Sequence, residues 1–122
     1  MAGVWGIVEV SVRELGEESI VVAYRWVWCG GEKCLLLAYT VNGVPRLVIT
    51  PPPPSPLCVR AGRVDAAIAR AVAEKLVAGV KAVGYTYPAC LIPRLLLRDR
   101  LEDTVAHLES LGLFSTKPPV DT

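Results

Sequence analysis

The sequence predicts an α+β fold, in which a four-stranded antiparallel meander is followed by two helices packed on one face. In residues 4–50, successive side chains differ in kind with the two-residue period of a strand, and β-branched and aromatic side chains are frequent. Asn42-Gly43 separates two apolar runs, and residues 62–112 carry apolar side chains at helical spacing. With 122 residues the chain is predicted to form a single domain. Its predicted parts are an antiparallel sheet (4–50), a proline-rich connector (51–61), a helical layer (62–112) and a flexible tail (113–122).

Four apolar runs form the predicted meander: 4–12, 20–28, 35–41 and 44–50. Asn42-Gly43 predicts a tight hairpin between the last two runs, because both central residues of a type I′ turn need positive φ. Pro45 has no N–H for a ladder hydrogen bond, so the last strand is expected at a sheet edge.

The second half predicts helices after a stiff connector. "PPPPSP" at 51–56 favours a polyproline II segment. The first predicted helix spans 62–84, and the second begins at Pro93 and stops at Gly112. Each helix carries one apolar stripe, formed by Val64, Ile68, Val72, Leu76, Val80 and Val83 in the first and by Leu97, Leu101, Val105 and Leu108 in the second.

Composition points to an intracellular protein from a heat-adapted organism. The net charge is +1, and no apolar run reaches the roughly 20 residues that span a bilayer. The first residues lack a basic segment followed by a cleavage site, so we expect a cytoplasmic protein with no membrane partner. There is no Gln and one Asn, and such thermolabile residues are depleted in hyperthermophile proteins.

The stretch "YRWVWCGGEKC" at 24–34 raises the functional question. If "GGEK" is a four-residue loop, Cys29 pairs with Cys34 and Trp26 with Leu37, and the Asn-Gly turn pairs Tyr39 with Arg46. One face then gathers the aromatic side chains, and matching similar faces places Trp5 beside them. The opposite, aliphatic face suits two helices. The sequence leaves open whether the aromatic face lies in a core, at a subunit interface or in solvent.

An exposed face of this kind would suit unpaired bases. Aromatic rings stack on any base, and Lys or Arg neutralises phosphates. The candidate nucleic-acid-binding residues are Trp5, Tyr24, Arg25, Trp26, Trp28, Lys33, Tyr39, Arg46, Arg60, Arg63, Tyr85, Tyr87, Arg94 and Arg98. For the last arginines the alternative is a solvated helix surface, because acidic residues adjoin them in "RDRLED".

The aromatic residues of the meander, followed by "PPPPSP" and two helices, resemble the ThermoDBP-related proteins of the archaeal ThermoDBP family. The resemblance covers about residues 4–112 and rests on element order and aromatic placement. It implies binding of single-stranded DNA in a cleft lined by aromatic and basic side chains. The founding member dimerises through a C-terminal helical extension, which this chain lacks, so that mode of dimerisation is not carried over.

The four cysteines allow several states. Cys29 and Cys34, opposed across the predicted hairpin, are candidates for a disulfide, with buried free thiols and a metal site as alternatives. Cys58 and Cys90 could form a second bridge. His107 is the only histidine, and the chain has no phosphate-binding loop or nucleophile elbow. We therefore expect no enzyme and no cofactor.

Two functions follow from these patterns. The first is sequence-independent binding of single-stranded DNA, or of RNA, by a homodimer or higher homo-oligomer. The alternative is a non-enzymatic assembly protein whose aromatic sheet face is a subunit interface.

Overall fold

The computed structural model describes residues 4–77 and 88–120. Its strands are β1 (Gly6–Ser11), β2 (Ser19–Cys29), β3 (Glu32–Val41), β4 (Val44–Thr50), β5 (Val59–Arg60) and β6 (Cys90–Leu91). Its helices are α1 (Arg63–Leu76), α2 (Leu101–Ser110) and two 3-10 helices, Arg13–Leu15 and Arg94–Leu96. Within the described ranges, neither α-helix is long and apolar enough to cross a membrane.

The predicted α+β class is confirmed, and the sheet is larger than predicted. Its six strands lie in the order β1-β2-β3-β4-β6-β5, and every pair is antiparallel. The first four form the predicted meander. The two short strands β5 and β6 extend it beyond β4, so β4 is not the outermost strand. β6 pairs only with Val48 and Ile49, so Pro45 lies in a part of β4 that no described strand covers on that side.

Both tight hairpins use residues with positive φ. Asn42 (φ 50°) and Gly43 (φ 78°) connect β3 and β4, and Tyr39 pairs with Arg46 as predicted. The β2–β3 turn contains only Gly30 and Gly31, with φ of 60° and 91°. Two glycines satisfy the turn without strain, so "GGEK" is not the loop. The register is shifted by two residues, and Cys29 pairs with Glu32 rather than with Cys34.

The two helices pack on opposite faces of the sheet, not on one face as the sequence suggested. We call the surface that includes Val22, Leu37 and Val48 the α1 face, where Ile68 and Val72 of α1 complete a core. The α2 face includes Val27, Leu36 and Ile49, which pack with Val105 and Leu108 of α2. Both faces are apolar enough to form a core, so each takes one helix.

The second predicted helix is divided by an extended segment. After the 3-10 helix, Leu97 has φ −77° and ψ 139°, and α2 begins only at Leu101. Thr104 stabilises this break, because its Oγ1 accepts a hydrogen bond from Arg98 N at 2.8 Å and donates one to Arg100 O at 3.2 Å. Threonine side chains compete in this way with the helical ladder.

The predicted flexible tail is fixed at its start. Leu113 and Phe114 are buried in the α2-face core. Ser115 then exchanges two backbone hydrogen bonds with Trp28, of 2.9 and 2.8 Å. This bridge covers the part of β2 that extends past β1, so the C-terminal segment protects an otherwise open strand edge.

Candidate nucleic-acid interface

The predicted aromatic row divides into a covered part and an open part. Tyr24, Trp26, Trp28 and Tyr39 share the α1 face, because the two-residue shift in register preserves which face each side chain occupies. α1 covers the half that contains the tyrosines, and Trp26 remains 38% exposed.

Tyr39 lies in a buried polar network rather than on a surface. Its hydroxyl donates to Asp65 Oδ1 at 2.6 Å, and Arg46 Nη1 donates to Asp65 Oδ2 at 2.9 Å. Tyr39 is only 6% exposed, and burial together with the neighbouring carboxylate raises the pKa of its phenol. The ring of Tyr39 is therefore inaccessible to a base, and Arg46 is paired with a carboxylate.

Tyr24 is fixed by its cross-strand neighbour. It pairs with Gly6, and a Cβ at that position would overlap the Tyr24 ring. The ring consequently lies across the backbone of β1 and packs against the α1-face core. Such close approach of a side chain to a strand explains a glycine within the strand pattern.

The open part of the row consists of Trp26, Trp28 and Lys33, which we call the Trp26 platform. Trp28 is half-buried and pairs with Lys33 next to the β2–β3 turn. Lys33 Nζ lies 4.8 Å from the centroid of the Trp26 ring, within cation–π distance. This platform combines an exposed indole with a cation, the two groups that a stacked nucleotide requires.

Trp5 lies on the opposite face from the other two tryptophans, contrary to the prediction. Gly6 pairs with Tyr24, so its neighbour Trp5 extends from the α2 face together with Arg25. The Arg25 guanidinium carbon is 5.4 Å from the Trp5 ring centroid, and Trp5 Nε1 donates to Glu102 Oε1 at 2.8 Å. These contacts connect the sheet to α2.

The remaining predicted cations are dispersed. Arg60 and Arg63 are exposed near the β5 edge, with Arg63 Nε 4.0 Å from Glu14 Oε1. Arg94 and Arg98 are exposed before α2, and Arg98 Nη2 is 3.2 Å from both ring nitrogens of His107. The structure therefore does not bring these arginines to the Trp26 platform. Tyr85 and Tyr87 lie outside the described residues.

The cysteines pair differently from the first expectation. Cys58 and Cys90 form a disulfide, whereas Cys29 and Cys34 are free thiols. Burial and the neighbouring Cys34 raise the pKa of Cys29 to about 12, and burial also raises the pKa of Cys34. Both groups therefore stay protonated at neutral pH and are poor nucleophiles. In the described ranges no three His, Cys, Asp or Glu side chains are grouped to hold a metal ion.

The sequence did not predict three features of the two sheet faces and their borders. Asp65 binds two site candidates, but an acidic residue in the first turn of a helix is ordinary and gave no signal. Ser115 was assigned to a loose tail. Ile7 and Val21 are 66% and 54% exposed on the α2 face, which the helices were expected to cover.

No family model, curated protein or solved structure matches this chain.

Proposed function

We propose that the protein binds single-stranded nucleic acid without sequence preference, with the Trp26 platform as its contact site. The observation that carries this proposal is the exposed Trp26 ring with Lys33 Nζ at 4.8 Å. A base stacks on the indole, and Lys33 moves from the ring to the neighbouring phosphate. Trp28 offers a second, partly accessible ring on the same strand face.

The platform predicts modest affinity. Stacking on an aromatic side chain is worth about 1–3 kcal/mol per base, and Lys33 neutralises one phosphate. This site is smaller than the sequence suggested, because Tyr24 and Tyr39 pack beneath α1. Membership of the ThermoDBP-related proteins remains a prediction, and a single-stranded DNA ligand is consistent with it.

The alternative, a subunit interface on the aromatic face, has less support. α1 already covers most of that face, and the aromatic area left to a partner is mainly Trp26.

The proposal is tested by fluorescence anisotropy of a labelled single-stranded oligothymidine at low and high salt. The wild type should bind, with quenching of tryptophan emission and weak competition from duplex DNA. Trp26→Ala should weaken binding by about 5-fold to 150-fold, the equivalent of one stacked base. The plot of log K against log salt has a negative slope, and Lys33→Ala should make that slope less negative by about 0.7, because one phosphate contact is lost.

Trp5→Phe is the matched control, since it removes an indole from the opposite face and should leave affinity unchanged. Single-stranded RNA of the same length is titrated in parallel. Absence of binding to both polymers would refute the proposal. Equal losses for Trp26→Ala and Trp5→Phe would place the contact elsewhere.

A further inference from the structure

The α2 face carries an open groove of about 710 Å³. α2 packs over one half of that face, and the other half is the floor of the groove. The floor is formed by Ile7, Val21, Ala23 and Ala38. Its wall is the extended segment that joins the second 3-10 helix to α2, including Leu97 and Arg98. An exposed apolar surface of this kind commonly marks an interaction site.

Apolar side chains are exposed on the floor and in the 3-10 helix that precedes the wall. Ile7 of β1 pairs with Ala23 of β2, and Val21 lies on the same face of β2, two residues before Ala23. Ile7 is 66% exposed and Val21 is 54% exposed. Leu95, two residues before Leu97 in the wall, is 86% exposed. One chain therefore presents both an apolar groove and a projecting apolar side chain beside it.

The charges around the groove have opposite signs at its two borders. Glu17 and Glu18 are exposed and immediately precede Ser19, which lines the groove. At the other border, Arg98 of the wall and Arg94 of the preceding 3-10 helix are exposed, and neither has a carboxylate within 4.0 Å in the part of the chain that the structure describes. Asp99 also lines the groove there, so this border keeps a net positive charge. The net charge is only +1, so two copies do not repel one another strongly.

We propose that the groove is occupied by a second copy of this chain in a two-fold symmetric dimer. In such an interface the same patch is used by both copies, so each wall packs on the other floor. Leu95 of one copy then contacts Ile7 and Val21 of the other, and Arg98 faces Glu18. A small ligand in the groove would leave Leu95 and both charged borders unmatched.

This inference is independent of the nucleic-acid proposal. The Trp26 platform lies on the α1 face next to the β2–β3 turn, and the groove lies on the α2 face. A dimer formed through the groove would leave both platforms accessible. Failure of either proposal can therefore be recognised without the other.

Sedimentation velocity of the full chain over a wide concentration range tests the dimer. We expect a reversible dimer whose Kd rises about tenfold or more in Val21→Ser, because burial of that valine is lost. Val59→Ser is the matched control, since Val59 is also a strand valine and is 49% exposed near the opposite edge of the sheet. A monomer at every concentration, or equal effects of both variants, would overturn the proposal.

A charge exchange tests the orientation. Arg98→Glu and Glu18→Arg should each weaken the dimer, and the double variant should restore it. A double variant as weak as the single ones would overturn the assigned packing. Loss of oligonucleotide binding in Arg98→Glu with unchanged sedimentation would make the wall a nucleic-acid contact instead and would also overturn it.

Discussion

The α1 face and the α2 face hold their helices by different contacts. On the α1 face a carboxylate is buried: Asp65, 3% exposed, accepts hydrogen bonds from Tyr39 and Arg46 of neighbouring strands. On the α2 face, the polar contacts lie at the border, where Trp5 donates to Glu102. Beneath α2 the core consists mainly of apolar side chains, and the buried Thr104 of α2 makes its hydrogen bonds within its own segment, to Arg98 N and Arg100 O.

This difference explains why α1 lies over the centre of its face, whereas α2 leaves a groove on the other. Asp65 must receive both of its donors, since an unpaired buried carboxylate is costly, and this fixes where α1 lies on the sheet. Among the described residues, no buried ion pair positions α2 over the centre of its face. α2 is instead held at one end of the sheet by Trp5 and by the Ser115 bridge to Trp28, and the groove remains beside it.

Asp65→Ala should be the most damaging change to this arrangement. It leaves the Tyr39 hydroxyl and the Arg46 guanidinium without their acceptor. Loss of one partner of a buried pair costs 3–5 kcal/mol, and the partial exposure of Arg46 places this case near the lower limit, at about 3 kcal/mol. Urea unfolding followed by circular dichroism measures the loss.

Asp103→Ala is the control for removal of a helical carboxylate. Asp103 is 3.2 Å from Arg100, and the two side chains are 53% and 80% exposed. Exposed pairs of this type contribute about 1 kcal/mol or less. If the two variants lose the same stability, the buried network does not hold α1.

The meander was predictable because its signals are local. The Asn42-Gly43 turn fixed the β3–β4 register, and alternation assigned each side chain to a face. The β2–β3 register was wrong by two residues, yet face membership survived, since only odd shifts exchange the faces. The predicted Cys29–Cys34 disulfide was wrong because it depended on the exact partner of Cys29, whereas the second possible bridge, between Cys58 and Cys90, is present.

The helix positions could not be predicted, because both sheet faces are apolar and a helix could cover either of them. The choice depends on side chains that are distant in sequence, such as Asp65 with Tyr39 and Arg46. The accessible part of the candidate site could not be predicted for the same reason. Which aromatic residues are accessible depends on where α1 lies, and periodicity does not specify that. The predicted face of Trp5 was wrong because similarity of side chains does not determine the β1–β2 register, in which Gly6 pairs with Tyr24.

Trp5→Ala should have the next largest effect. It removes the border contact of the α2 face, including the bond to Glu102 and the Arg25 contact. Truncation of a buried Trp costs 3–5 kcal/mol, so the half-buried Trp5 should cost about 2 kcal/mol. Thermal unfolding of Trp5→Ala and Trp5→Phe gives the comparison, with a smaller loss expected for Phe.

Trp26→Ala provides the contrast between the faces. Trp26 is exposed, so its removal should change stability by less than about 1 kcal/mol while it weakens oligonucleotide binding. If Trp26→Ala destabilises the fold as much as Trp5→Ala, the platform is structural, and the functional interpretation of its exposure fails.

The smallest expected effect concerns the C-terminal end of the α2 face and depends on pH. Glu109 accepts hydrogen bonds from Thr116 N at 2.6 Å and from Thr116 Oγ1 at 2.9 Å. These bonds lower the pKa of Glu109 below its ordinary value. A lowered pKa in the folded state means that the stabilisation is complete above the unfolded pKa of about 4.3 and is lost as pH falls through the folded value.

Glu109→Gln should therefore reduce the free energy of unfolding by well under about 1 kcal/mol at neutral pH, because solvent screens this largely exposed carboxylate. The reduction should be smaller still at pH values well below 4, where the wild-type carboxyl is itself protonated. Urea unfolding at both pH values measures the difference, and amide exchange at Trp28 and Ser115 should accelerate with it, because the Thr116 bonds position that bridge. Glu32→Gln is the control, since Glu32 has no side-chain hydrogen bond or ion pair among the residues described. A difference between Glu109→Gln and the wild type that is the same at both pH values would show that the charge of Glu109 does not hold the segment. The α2 face would then depend on Leu113 and Phe114 alone at this end.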